Sequence, residues 1–250
     1  MKLGIGVTSY VTLANLRENA LDSSRQDLEF IRTIIPANYE YMINLFPKSM
    51  SQFRQDLFVL SETNYKQKGY FVEFGGADGI YLSNTYLLET EFSWTGIIAE
   101  PARVFEKNLK ANRPIVCIET LCVWKESNLS LMFNETKVPV LSTINKLSHL
   151  DNQKDNRRAG NKYQVQTISL IDMLKKYRAP KYIDYLSVDT EGSEYEILNA
   201  FDFNEYDIRI ISVEHNYTDS RELIFDLLTS KGYKRKYQNI SHCDDWYVKI

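Results

Sequence analysis

The sequence is poor in several of the features that mark out a protein class. It has three cysteines in 250 residues, Cys117, Cys122 and Cys243. They cannot all pair and have no framework spacing, which excludes a disulfide-stapled secreted domain and suits a reducing compartment, so a cytoplasmic location is expected. No stretch approaches 18 apolar residues, so no membrane span is expected. Neither sign of charge dominates: 30 Lys and Arg stand against 33 Asp and Glu, a formal charge of −3. That balance gives no field that argues for nucleic acid or an anionic membrane as partner. Internal repeats and low-complexity tracts are lacking. Met1 to Leu16 carries one Lys and a mildly apolar run broken by Thr8, Ser9, Tyr10 and Thr12. A secretory signal needs a greasier core, so a strand or an ordered arm is expected there.

Apolar residues make up 44% and charged residues 25%, close to the globular average. At this length the chain can bury roughly 70–75% of its unfolded surface, as one large domain or two small ones. Aromatics are plentiful, with 17 Tyr, 12 Phe and 3 Trp.

Residues 17–68 read as helical. Leu28, Ile31, Ile34 and Ile35 recur at helical spacing up to Pro36, and a second helix spans roughly Met50 to Lys66. From Gly69 the pattern changes. Tyr70 to Phe74 is a short aromatic and β-branched run bounded by glycines, a buried strand. Strands follow at Gly96–Glu100, Ile115–Ile118, Tyr182–Val188, Ile208–Val213, Tyr233–Tyr237 and Trp246–Ile250, with helices between most of them and a short extended piece at Val165–Ile168. Seven strands alternating with helices predict a mostly parallel α/β sheet over residues 69–250, and the terminal pair suits one reversed strand. The polar, turn-rich stretch 127–162 reads either as a lid over a site or as a solvated insertion, and residues 1–68 as an arm and helices that pack on or cover that site.

In an open parallel sheet, ligands bind beyond the carboxyl ends of the strands. The first strand ends in Glu73-Phe74-Gly75-Gly76-Ala77-Asp78-Gly79 and the second in Glu100, 21 residues after Gly79. Glycines let a backbone turn tightly against a ligand, and a carboxylate at that offset commonly accepts from ribose hydroxyls. Together they specify a nucleoside-bearing cofactor. Glu73 and Asp78 would repel a pyrophosphate and welcome a cation. S-adenosylmethionine, with a sulfonium and an ammonium and no phosphate, fits that charge better than a nicotinamide dinucleotide.

The chain resembles the FkbM family of S-adenosylmethionine-dependent methyltransferases. The resemblance rests on Ser51-Gln52 with Gln55 to Leu60, Gly69 to Gly75 with Ala77-Asp78-Gly79, Leu82 to Thr85, Gly96 to Pro101, Val123-Trp124, Leu186 to Tyr195 and Ile211 to Asn216. Its strongest block is Asp189-Thr190-Glu191-Gly192-Ser193-Glu194. It implies the class I methyltransferase fold, Rossmann-like, with an antiparallel last strand, and O-methylation of a small molecule or glycan. It also implies roles. Glu73 sets the loop near the methionine ammonium, and Gly75, Asp78 and Gly79 shape the approach to the cofactor. Ser83 and Asn84 bond its carboxylate, Glu100 takes both ribose hydroxyls with Pro101 following, and Cys122 and Val123 border adenine. Ser51 to Asp56 reads as a flap over the cofactor or as a helix cap with a solvated face. Two departures stand out. Ala77 replaces the middle glycine of the usual loop, which is tolerable if its φ is negative, and no carboxylate at Cys122–Val123 is available for the adenine amino group.

For the chemistry, Asp189 ends the fourth strand and Glu214-His215 the fifth. Neighbouring strand ends lie about 5 Å apart, so these groups can converge as orienter and general base. The same set could hold a divalent cation, Mg²⁺ or Mn²⁺, that acidifies the acceptor hydroxyl. His242 is a second base candidate, and Glu191 and Glu194 are supporting charges at a helix N-terminus. The expected acceptor is a hydroxyl of a sugar, glycan or small metabolite. The alternatives are methylation of RNA or protein, for which Lys231, Lys234, Arg235 and Lys236 offer a local basic cluster, a cofactor-binding module without catalysis, and a nicotinamide dehydrogenase.

Overall fold

Tyr70-Phe71-Val72-Glu73-Phe74 places large side chains on both faces, and a strand of that kind is stable only when covered from both sides. The computed structural model describes residues 24–34 and 39–250; the expected N-terminal arm, Ile35 and Pro36 lie outside them. The chain begins with helices α1 (24–33), α2 (Tyr39–Leu45) and α3 (Gln55–Glu62), followed by β1 (Tyr70–Phe74), α4 (Tyr86–Phe92), β2 (Thr95–Ala99), α5 (Arg103–Asn112) and β3 (Cys117–Glu119). Next come β4 (Cys122–Trp124), β5 (Ser130–Glu135), β6 (Thr143–Ile144), β7 (Asn161–Ser169), α6 (Leu170–Lys176) and β8 (Tyr182–Val188). The chain closes with α7 (Glu194–Asn199), β9 (Asp207–Glu214), α8 (Ser220–Ser230), β10 (Tyr233–Lys236) and β11 (Asp244–Lys249).

Seven strands form the main sheet in the order β10-β11-β9-β8-β1-β2-β3. β9, β8, β1, β2 and β3 are parallel, and β11 runs antiparallel between β9 and β10. The expected sheet, parallel but for a reversed last strand, is therefore present. Its alternating side chains divide two cores. Val72, Phe74, Leu186 and Val188 pack with Met173 and Leu174 of α6, Ile197 of α7 and Ile224 and Leu228 of α8. Phe71, Ile98, Tyr185 and Trp246 pack on the other face with Phe30 of α1, Leu57 and Phe58 of α3, Leu87 and Leu88 of α4 and Leu109 of α5. Among the described residues no helix is long and apolar enough to cross a membrane.

The stretch 127–162 carries β5, β6 and the start of β7, which join β4 in a second sheet of order β4-β7-β5-β6. The extended piece expected at Val165–Ile168 is the end of the nine-residue β7. β5 pairs with β7 from Ser130↔Gln166 to Glu135↔Asn161. This small sheet has its own core, with Phe133 and Ile144 packed beside Cys122 and Trp124. From 145 to 160 the chain carries no strand.

Candidate active site

A cleft of about 950 Å³, part of it open to solvent, lies past the carboxyl ends of β1, β2 and β8. Gly75, at φ +74°, makes it possible: a Cβ there would sit 2.2 Å from the Asp189 carbonyl oxygen, so the loop after β1 lies directly on the end of β8. Of the sequence-derived cofactor residues, Glu73, Gly75, Ala77, Asn84, Glu100, Pro101, Cys122 and Val123 line this cleft, and so does Asp189. Asp78, Gly79 and Ser83 do not. Asp78 Oδ1 accepts from the Ile80 and Tyr81 amides at 2.9 and 2.8 Å, which closes the turn. The missing Cβ of Gly79 leaves room for Arg113 and Leu109 of α5 rather than for a ligand.

Glu73 is tied down. Its carboxylate accepts from Ser83 Oγ (3.1 Å), the Asn84 amide (2.6 Å) and Thr85 Oγ1 (2.5 Å). Buried Arg113 stands 3.9 Å away, pairs with Glu89 and also donates to the Gly79 carbonyl. Ser83 is thereby committed to Glu73 instead of to a ligand. Asn84 donates from Nδ2 to Ser187 Oγ at 2.9 Å, and its Oδ1, buried, has no partner.

Ala77 has φ +45°. The negative φ under which an alanine would be tolerated there without strain is not what the loop adopts. Its amide instead donates to Glu100 Oε2 at 3.0 Å, while Glu100 Oε1 accepts from the Ala102 amide at 2.8 Å. Glu100 is 7% exposed, and burial pushes its carboxyl up to about 7.

On the far wall, Glu194 accepts from the Thr190 and Gly192 amides and from Thr190 Oγ1, which closes the Asp-Thr-Glu-Gly-Ser-Glu loop. Asp189, Glu191 and Glu214 each bring an oxygen within 4.8 Å of the others. Burial first, then repulsion among these groups, holds the Asp189 and Glu214 carboxyls well above the usual carboxylate range. Glu191, at φ +59°, bonds Arg157 Nη2 at 2.5 Å. Arg157 also bonds Asp151 at 2.7 Å and the Leu141 carbonyl at 2.9 Å.

The two candidate histidines do not line this cleft. Asp189 and Glu214 meet as expected from the strand order, whereas the His215 ring makes its contacts with Tyr217 and Asp245. Its Nδ1 accepts from the Tyr217 amide at 3.0 Å, its Nε2 is 3.8 Å from Asp245 Oδ1, and burial lowers its pKa. It lines a neighbouring cavity with Glu194 and Glu214. His242 stacks on Phe53, ring centroids 4.7 Å apart, beside a third, small cavity.

Sequence reasoning missed Asp244. It lines the cleft, accepts from Gln55 Nε2 at 2.8 Å, and is pushed up to about 7 by burial. The signal was available: a reversed strand begins where its parallel neighbours end, and Asp244 is the ladder partner of Glu214. Phe133 and Ile144 of the unrecognised second sheet, with Val140 from the connection between β5 and β6, give the cleft an apolar wall. Gln52 and Gln55 also line the cleft, and Ser51 docks on the loop after β1 through a bridge to Leu82. The Ser51–Asp56 segment thus borders the cleft, and α3 has Arg54, not Ser51, at its N-cap.

The family model "Methyltransferase FkbM domain" matches residues 73–235, more than half of the chain. No curated protein matches significantly. Among solved structures, methyltransferase FkbM from Methylobacillus flagellatus KT is similar at 11% identity and a TM-score of 0.49, over 92% of this chain and 60% of that one. The N-terminal domain of human METTL16 in complex with SAH is similar at 12% identity and a TM-score of 0.41, over 76% of this chain and 66% of that one. A TehB-like SAM-dependent methyltransferase from Corynebacterium glutamicum is similar at 8% identity and a TM-score of 0.39, over 85% and 97%. The chain thus spans less than two thirds of the length of the FkbM structure. With the cleft at the strand ends and the family model across the strands that build it, the chain belongs to the FkbM methyltransferase domain family.

Proposed function

We propose that the chain transfers a methyl group from S-adenosylmethionine to a hydroxyl of a sugar, a glycan or another small metabolite. The observation that carries this reading is the charge of the cleft. Glu73, Glu100, Asp189, Glu191 and Asp244 line it, and among the described residues no Lys, Arg or His does. Such walls repel a pyrophosphate and attract a sulfonium and an ammonium. Glu100 keeps lone pairs on both oxygens for ribose hydroxyls, and Pro101, Cys122 and Val123 offer an apolar slot for adenine. The basic cluster that would favour RNA is partly spent: Lys236 pairs with Glu62 at 2.8 Å and Arg235 with Asp245 at 3.0 Å. Free thiols at Cys117, Cys122 and Cys243 agree with a cytoplasmic location.

When bound, the cofactor supplies an electrophilic methyl on sulfur. The chain's own work is to orient the acceptor oxygen and take its proton. Asp189 with Glu214 suits that task, because burial and mutual repulsion raise both carboxyls, and a carboxylate so raised is a stronger base. His215 then holds a turn through the Tyr217 amide, and His242 packs on Phe53.

The test is transfer of labelled methyl to a panel of mono- and disaccharides with EDTA present. Asp189→Asn should lower single-turnover transfer about 10²–10⁴-fold, the range for a lost general base, and weaken S-adenosylhomocysteine binding by far less, about a few-fold. His215→Ala should stay within a few-fold of wild type. Activity lost in EDTA and restored by Mg²⁺ or Mn²⁺ would favour a metal held by Asp189, Glu191 and Glu214. Transfer to RNA with none to any hydroxyl compound would overturn the acceptor class.

A further inference from the structure

Among the described residues that line the cleft, one buried side-chain polar atom lacks a partner. The Glu73 oxygens accept from Ser83, Asn84 and Thr85. Gln55 donates to Asp244 and accepts from the Phe53 amide at 2.9 Å. Asn84 Oδ1 is the exception. The residue is 7% exposed and lines the cleft, yet this oxygen is buried without a partner. The amide cannot simply reorient at no loss, because Nδ2 is bonded to Ser187 Oγ at 2.9 Å, and that hydroxyl lies 3.4 Å from Ser212 Oγ in a buried relay. A buried acceptor left unpaired marks a place where a donor belongs.

The order of strands says which donor. On the proposed cofactor reading, on which this inference rests, adenine sits beside Cys122 and Val123 past β3 and the ribose at Glu100 past β2. The methionyl end then extends toward β1 and β8, where Asn84 is tied to Ser187 of β8. That end of the molecule carries two charged groups. A carboxylate would meet an acceptor oxygen with Asp189 and Asp244 on the same walls, whereas an ammonium has three N–H donors and the complementary charge. We infer that Asn84 Oδ1 accepts from the α-ammonium of the bound methionyl group and makes the site select amino-bearing cofactors. The carboxylate role expected for Asn84 from the family resemblance is thereby replaced by one of opposite polarity.

The experiment is calorimetric titration of the full chain with two probes: S-adenosylhomocysteine, and its deamino analogue with hydrogen in place of the α-amino group. Wild type should prefer the amino compound by about 10–100-fold, the range for a hydrogen bond to a charged group. Asn84→Ala should narrow that preference by about tenfold, the acidic walls keeping what remains. Asn84→Asp, of the same shape and more negative, should keep or widen the preference. If Asn84→Ala does not fold by thermal melt, the Asp variant decides, and a narrowed preference there overturns the inference. An Asn84→Ala variant with the wild-type preference also overturns it and leaves the cofactor reading standing. Wild type binding neither probe overturns the cofactor reading and this inference together.

Discussion

Ala77 takes a backbone conformation in which a Cβ crowds the neighbouring carbonyl, at a cost of about 1–2 kcal/mol. Its φ of +45° is kept because the amide it presents closes on Glu100, the proposed ribose ligand. Leu82 and Glu191, both on the cleft wall, also have positive φ, +58° and +59°. Strain of this kind gathers where surrounding structure over-determines the backbone. Ala77→Gly relieves it and gives back part in unfolded-chain entropy, about 0.4–1 kcal/mol. The variant should therefore be more stable by about 0.5–1 kcal/mol, read as a Tm rise of about 1–3 °C. A lower Tm would show that the alanine methyl packs better than the strain costs. At this scale the sequence made the loop visible but not its dihedrals: nothing local to Ala77 reveals that Glu100, 23 residues on, captures its amide.

β1 was legible because it is short, apolar on both faces and flanked by Gly69 and Gly75. β1 and β8 were read to the residue, Tyr70–Phe74 and Tyr182–Val188. The second sheet was not, since β5 reads Ser-Leu-Met-Phe-Asn-Glu and only Phe133 and Asn134 are buried in it. It owes its strand to β7, about thirty residues away in sequence, and local periodicity carries no such pairing. The reversal of β11 was legible, yet its start was read at Trp246. The two residues missed, Asp244 and Asp245, pair with Glu214 and Val213 at the carboxyl end of β9, so a boundary error of two residues hid a member of the site. Convergence of Asp189 with Glu214 followed from strand order alone. The turn of His215 toward Asp245 depends on the Tyr217 amide, a contact made outside the strand.

Across the whole molecule the net charge of −3 conceals an uneven distribution. Carboxylates are concentrated in the cleft, and burial raises Glu100 and Asp244 to about 7 and Glu191 to about 8. In the unfolded chain these groups ionise near 4. The folded state thus binds more protons above that point, and the stability this confers is lost as pH rises through 7 and 8. His215, lowered by burial, acts in the opposite sense, but only below the ordinary histidine value of about 6.5. The ligand-free chain should accordingly melt at a lower temperature at pH 8.5 than at pH 6.5, and a flat or rising profile would contradict the buried acidic cleft.

Ionisation that costs stability also prepares the site for a cation, so binding and pH are linked through the same carboxylates. The central claim is that this cleft takes S-adenosylmethionine, and calorimetric titration of the wild-type chain with that compound and with NAD⁺ tests it most directly. The account predicts one S-adenosylmethionine bound per chain, tighter at pH 8 than at pH 6 as Glu100 ionises, and no heat from NAD⁺. Binding of NAD⁺ without binding of S-adenosylmethionine would contradict it.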